Sequence, residues 1–253
     1  MWPHSDGGFH VEEIGDGWRV GTFAALAELE GLVHAVTTRR GPEVPVEAAA
    51  DDPVTGAIAR ALGLEGLAYC RQVHGRAVLD VREAGLAGAG DALTTNRPAL
   101  GLMGRSADCP IVLVADPVSG AAGMAHASWR GTVRRIAMAL VAGLAARYRM
   151  DLARTVGCIC PSAGPCCYEV GPDVLEAARD RMGPGAERFF PARGGKTFFD
   201  LWSANADQLV RAGLVAANVH AAGVCTICRN DLFPSFRAEG AGAGRFAAVI
   251  AQR

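Results

Sequence analysis

Three side chains with the right chemistry stand at the ends of short extended segments: His74, Cys109 and His126. Two imidazoles and one thiolate make a His2Cys zinc set with a fourth position open. That count is the pattern of a catalytic zinc rather than of a structural one, which four protein ligands close. The pair Cys109 and His126 also suits nucleophilic catalysis, with a thiol activated by a neighbouring base. The plainest alternative makes Cys109 a small buried apolar residue. A second set of thiols lies further along. Cys225-Thr-Ile-Cys228 has metal-ligand spacing, but one pair cannot close a site. Cys158, Cys160, Cys166 and Cys167 are the available complements, and buried or unpaired thiols remain the simpler reading of all six.

The elements that must position these residues centre on Gly101–Gly131. Ile111–Ala115 is an apolar, β-branched run, Asp116–Gly120 is turn chemistry, and Ala121–Ala125 is a second run of small residues. Strands joined by a tight turn are antiparallel, so the entry of one lies beside the exit of the other. Cys109 precedes the first strand and His126 follows the second, which predicts that they are close in space. Segments 67–73 and 77–81 flank His74-Gly75-Arg76 and read as a hairpin with His74 at its tip.

The rest of the chain alternates strands and helices. Strands are expected at 18–25, 32–38, 155–160, 219–224 and 245–251. Helical spacing marks 52–62, 132–148, 172–182 and 201–212, with Asp200 as an N-cap. Segments 42–53, 85–90, 181–196 and 225–237 read as loops or connections. A helix opening at Gly131-Thr132 would turn its first N–H groups towards the His126 pocket. Thr38-Arg39-Arg40-Gly41 ends a strand and can present guanidinium and backbone N–H groups to an anion, or can simply be a solvated turn. Asp91 and Glu169 are acidic candidates for supporting a metal-bound histidine. Glu169 can equally serve as a charge near a helix N-terminus.

Composition bounds the function. The chain has 253 residues, half of them hydrophobic, and a formal net charge of −1. That balance carries no electrostatic signature of nucleic acid or of an acidic membrane. Lys196 is the single lysine; arginine supplies the rest of the positive charge, as in GC-rich coding, and its planar fork suits phosphate. No stretch of about 20 apolar residues suggests a membrane span. The N-terminus lacks a basic start followed by an apolar run, so the cysteines read as reduced thiols. Residues 1–16 are expected to be a flexible tail on one domain covering 1–253.

Eight motifs occur together: YCRQVHG (69–75), GDALT (90–94), ADCP (107–110), HASWRG (126–131), GPCCYEVG (164–171), FDL (199–201), CTICRNDLFPSFR (225–237) and GRFAAVI (244–250). In this order they resemble the purine nucleoside phosphorylase family of the YfiH type, long catalogued as multicopper polyphenol oxidoreductases or laccases. The likeness covers nearly all of the chain after Leu32.

The resemblance implies an α+β fold with mixed β-sheets and flanking helices, related to the YfiH-like cysteine hydrolase fold, and a cytoplasmic location. It implies zinc on His74, Cys109 and His126, with these residues also catalytic. It implies phosphorolysis of adenosine, inosine, guanosine or methylthioadenosine, with adenosine deamination as a second activity. The family's Thr-Arg-x-Gly turn matches Thr38–Gly41, which favours Arg39 as a phosphate or substrate contact. Arg130 is a further candidate for that contact and Asp91 for supporting the metal ligands. The partners implied are a purine nucleoside and phosphate, with no nucleic acid, membrane or protein partner. The sequence departs from the family pattern at Ser128, Cys160 and Pro42, where glycines are usual, and Ser128 borders the expected pocket. The alternatives are a Cys109 hydrolase or amidase acting on peptidoglycan precursors, a copper-dependent polyphenol oxidase, and a non-catalytic binding protein. Six histidines, with His4 and His10 in the tail, are too few for a multicopper centre.

Overall fold

The computed structural model describes residues 8–15, 17–47, 49 and 52–253. Two mixed sheets pack face to face. The seven-stranded sheet runs in the order Phe9–Ile14, Trp18–Phe23, Leu32–Thr37, Phe246–Gln252, Leu100–Ser106, Gly66–Arg71, Gly85–Ala89. The six-stranded sheet runs Val219–Ala221, Val156–Ile159, Ile111–Asp116, Ala121–His126, Ala92–Thr95, Val78–Asp80. A three-stranded sheet of Glu169–Val170, Lys196–Phe198 and Ala192–Arg193 lies apart from them. The fold is α+β, as expected.

The central strand shows why its sequence is apolar without interruption. Side chains alternate across a strand. Ile111, Leu113 and Ala115 pack between the sheets with Leu102, Met124 and Ile250. Val112 and Val114 face the helices Ile136–Arg147 and Leu201–Arg211, against Leu140, Leu144 and Leu209. Both faces are buried, so no polar residue is tolerated on either. Each buried leucine here contributes about 1.5–3 kcal/mol. Glycines set the layer spacing at two points. A Cβ on Gly104 would meet Met124 Sδ at 2.7 Å, and one on Gly123 would meet Leu140 Cδ1 at 2.8 Å. The helix Pro53–Ala61 covers the outer face of the larger sheet through Ile58 and Ala59, packed with Leu67, Met103 and Val249.

Several expectations change. Gly66–Arg71 and Val78–Asp80 do not pair with each other. They join different sheets, each through parallel pairing, so His74 lies in a crossover rather than at a hairpin tip. Gly85–Ala89, expected as a connection, is an edge strand. Phe9–Ile14, expected within a flexible tail, pairs antiparallel with Trp18–Phe23; residues 1–7 and 16, including His4, lie outside the described residues. Residues 192–193 and Lys196, expected in a loop, belong to the paired strands Ala192–Arg193 and Lys196–Phe198, and Val219–Ala221 is shorter than its apolar run. The helix expected at 132–148 is two helices, Trp129–Val133 and Ile136–Arg147, separated where Arg135 adopts φ 63°. Among the described residues no helix is long and apolar enough to cross a membrane.

Candidate metal centre and cavity

The central hairpin brings its two ends together as expected: Ile111 pairs with His126 in antiparallel register. Cys109 sits two residues before that pair, and the crossover carries His74 to the same place. One donor atom from each of His74, Cys109 and His126 lies within 4.8 Å of the others. The two imidazoles meet edge to face with centroids 5.0 Å apart. His74 is exposed, Cys109 half-buried and His126 buried, so the cluster is anchored in the core and open on one side.

Asp91 holds this arrangement. Its carboxylate is fully buried and accepts from the backbone N–H groups of Val73, His74 and Gly75 at 3.3, 2.9 and 2.7 Å. The same carboxylate lies 3.0 Å from His126 Nδ1. An acceptor at Nδ1 fixes the proton there and leaves Nε2 as the donor atom for a metal. Burial pushes Asp91 up, but the His126 hydrogen bond and the Gly75 N–H outweigh it and hold the carboxyl below its usual range. For His126, burial pulls downward, and the adjoining Cys109 and Asp91 together raise it to about 9. Burial and then the charge of His126 lower His74.

One donor and the residue before another occupy backbone conformations that L side chains rarely adopt. His74 has φ 57° and Asp108 φ 90°. Such positions persist only where surrounding contacts over-determine them. Asp108 is held from both ends. Its Oδ1 accepts from the Thr226 hydroxyl at 2.6 Å, its Oδ2 from Arg237 N at 2.6 Å, and its carbonyl from Ala163 N at 2.8 Å. The Ser106 hydroxyl donates to the Cys109 carbonyl at 2.6 Å. The Cys109 turn is therefore fixed by segments from far along the chain.

The donors line a cavity of about 720 Å³. Its wall carries Arg71, Arg105, Arg130, Arg237 and Arg245, together with the aromatic side chains of Trp129, Tyr168 and Phe236. A larger cavity of about 1050 Å³ lies elsewhere and includes no residue of the donor cluster. Arg105 was not singled out by the sequence. It is 5% exposed, stacks on Tyr69 with its carbon 4.9 Å from the ring centre, and pairs with buried Asp52 through Nη2. Its Nε and Nη1 are buried with no partner among the described residues. A charged residue inside the apolar run Leu100–Met103–Ser106 was the available signal, because an arginine is rarely buried without a paired role.

The other expected residues divide. Arg130 lines the cavity and stacks on Trp129 at 4.4 Å. Arg39 is not brought to the cavity wall; Asn230 O accepts from its Nε at 2.6 Å and Glu239 engages its Nη2. Glu169 pairs with Lys196 at 2.8 Å, away from the donors. Ser128 is buried in the cavity wall and caps the helix Trp129–Val133, its hydroxyl accepting from Gly131 N at 3.1 Å.

Comparison with known proteins adds names to this geometry. The family described as multi-copper polyphenol oxidoreductase laccase matches residues 54–253. Purine nucleoside phosphorylase YlmD of Geobacillus stearothermophilus is 33% identical over 207 residues, covering 76% of this chain and 74% of that protein. Adenosine deaminase RL5, from an unknown prokaryotic organism, is 36% identical over 210 residues, covering 77% and 78%. The crystal structure of YlmD superposes with a TM-score of 0.82 at 28% identity, over 96% of this chain and 98% of that one.

Proposed function

The chain belongs to the multi-copper polyphenol oxidoreductase laccase family, and from that premise we propose that it is a zinc-dependent purine nucleoside phosphorylase. Its substrates on this reading are phosphate and adenosine, inosine, guanosine or methylthioadenosine, and its products the free base and ribose-1-phosphate. The observation that carries the reading is the meeting of three zinc-type donors with an arginine-rich cavity wall.

His74, Cys109 and His126 are the residues that would hold the ion. The donor set fits: two imidazoles, one thiolate, a carboxylate orienting His126, and an open side on the cavity. No methionine lines the cavity among the described residues, which disfavours the long axial ligand of a blue-copper site. Zinc in such a set supplies Lewis acidity and activates water near neutral pH.

The protein's own part is to bind and orient. Arg105 offers two buried N–H-bearing nitrogens without partners among the described residues, and Arg130 adds a second cation in the same wall. Preorganised guanidinium groups neutralise phosphate and aim it at the ribose carbon, at no reorganisation cost during reaction. We assign the phosphate contact to these two rather than to Arg39, whose fork is occupied by Asn230 and Glu239. Trp129, Tyr168 and Phe236 give the purine apolar surface. Adenosine deamination is the second reading, favoured by the name of the RL5 relative and by the open side of the donor set. Eight free thiols support a reducing, cytoplasmic location.

The test is product identity. Metal-replete protein given adenosine should form adenine and ribose-1-phosphate only with phosphate present, and inosine with or without it if it deaminates. Oxygen uptake on phenols with adenosine untouched would support the copper oxidase instead. Conversion of no purine nucleoside under any of these conditions would leave the Cys109 amidase as the leading alternative. Arg105→Lys keeps the charge and loses the fork; it should raise the KM for phosphate about tenfold, some 1.4 kcal/mol, with zinc content unchanged.

A further inference from the structure

Cys166, Cys167, Cys225 and Cys228 come together in a cluster that has had no role so far. One Sγ from each lies within 4.8 Å of the other three. Cys167 and Cys228 are 3.4 Å apart at sulfur, and Cys166 and Cys228 3.7 Å. Four sulfurs around a zinc at about 2.3 Å stand about 3.8 Å from one another, the edge of the tetrahedron. These two separations come close to that edge, and all four sulfurs lie within reach of one ion.

The backbone builds the cluster from two segments. Ser162 and Cys225 form a parallel bridge, with Ser162 N donating to Val224 O and Thr226 N to Ser162 O. Gly164 then lets the first segment close on the second. A Cβ there would meet Trp202 Cη2 at 2.6 Å and Cys225 Cβ at 3.1 Å. The freed approach lets Gly164 N donate to Cys225 Sγ at 3.3 Å. Cys167 N and Tyr168 N both fold back to Gly164 O, so the adjacent thiols of Cys166 and Cys167 reach the same centre. Backbone N–H groups aimed at a sulfur stabilise its anion. A cation also stands by: Arg193 Nη2 donates to Cys166 O at 3.2 Å, where four thiolates and one zinc ion would leave a net negative charge.

We propose that these four cysteines form a second metal site, a closed four-thiolate site holding one structural zinc ion. It is separate from the His74 cluster, none of its residues lines that cavity, and it does not depend on the reaction assigned there. Its consequence is positional. The ion ties 161–169 to 225–229, and both segments hold Asp108 in its strained conformation beside Cys109, through Ala163 N and the Thr226 hydroxyl. The first segment also carries Tyr168 into the cavity wall.

Elemental analysis of reduced, zinc-grown protein tests this. The wild type should hold about two zinc ions per chain, and Cys225→Ser with Cys228→Ser about one. About one per chain in both proteins overturns the proposal. Two measurements on the unaltered chain guard against a variant that does not fold. Cys166 and Cys228 are exposed, so their alkylation, mapped by peptide mass, should be slow in zinc-loaded protein and fast after chelation. Cobalt(II) should give the intense visible bands and thiolate charge-transfer absorption of a tetrahedral four-sulfur site, retained in Cys109→Ala. Equal alkylation before and after chelation, or loss of the four-sulfur spectrum in Cys109→Ala, overturns it. So does a disulfide among these cysteines in protein isolated reduced with zinc.

Discussion

The His74–Cys109–His126 cluster and the Cys166–Cys167–Cys225–Cys228 cluster are both made of soft donors held within 4.8 Å, yet they are built for different tasks. The first has three donors, a buried carboxylate behind one of them, and an open side on a cavity lined by arginines. The second has four sulfurs and no place in that cavity. Three donors leave a metal free to meet a substrate, while four complete its shell. The supports differ too. The first is set at the ends of core strands, whereas the second joins two irregular segments already linked by the backbone bridge between Ser162 and Cys225. One cluster depends on the fold for its geometry; the other contributes geometry to the fold.

Removing a donor should break this comparison most sharply. Cys109→Ala should cut kcat/KM for phosphorolysis roughly a thousandfold, since a Lewis acid supplies several kcal/mol, and should leave the zinc of the four cysteines in place. Loss of both ions from this variant would mean that the clusters are not independent.

Proton linkage sharpens it from a third region, free of metal donors. His34 is buried, and Phe23 N donates to its Nε2 at 2.7 Å, which requires a neutral ring. Burial, aided by the charge of His10, lowers its pKa from 6.5 to about 4. The unfolded chain gains a proton between these values that the folded chain refuses. This contribution to stability is therefore full above pH 6.5, falls as pH drops towards 4, and is constant below. It amounts to about 3 kcal/mol at most. His34→Gln, whose carbonyl oxygen can still accept from Phe23 N, should flatten denaturation midpoints over that window.

Smaller effects probe the support of the first cluster. Asp91→Asn should weaken zinc binding there about 10–100-fold, as carboxylates behind a histidine ligand do. Zinc titration should find the four-cysteine site unaltered, and equal weakening at both would undo the distinction. Ser128→Ala removes the cap of Trp129–Val133 and should lower stability by about 1 kcal/mol in chemical denaturation, with zinc stoichiometry unchanged.

These outcomes bear on a fold whose local features were readable in advance. The hairpin around Asp116–Gly120 was legible because turn residues and β-branched runs act over a few positions. The register that joins Ile111 to His126 follows directly from the tight turn. Asp200 was legible as an N-cap, and its carboxylate accepts from Ser203 N at 3.0 Å. The helix at 132–148 was half legible. Its apolar face, Ile136 to Leu144, is as spaced, but no local signal marked the break at Arg135, whose Nη2 donates to Arg181 O, 46 residues away.

The residue types and order of the chain determined the hairpin, the amphipathic helices and the family motifs that mark His74, Cys109 and His126. These rest on near neighbours, where conformational preference and periodicity act directly. Tertiary structure alone decided that Gly66–Arg71 and Val78–Asp80 part into different sheets. It also decided that Arg105 is buried with two nitrogens unpartnered among the described residues, that Arg39 is held by Asn230 and Glu239, and that four cysteines meet at one point. Each of these depends on pairing between segments tens to hundreds of residues apart. Such pairing is selected by the burial of whole sheet faces rather than by any local signal. The sulfurs at 166, 167, 225 and 228 converge because a bridge at Ser162 and Cys225, and a glycine small enough to admit it, bring two distant segments side by side.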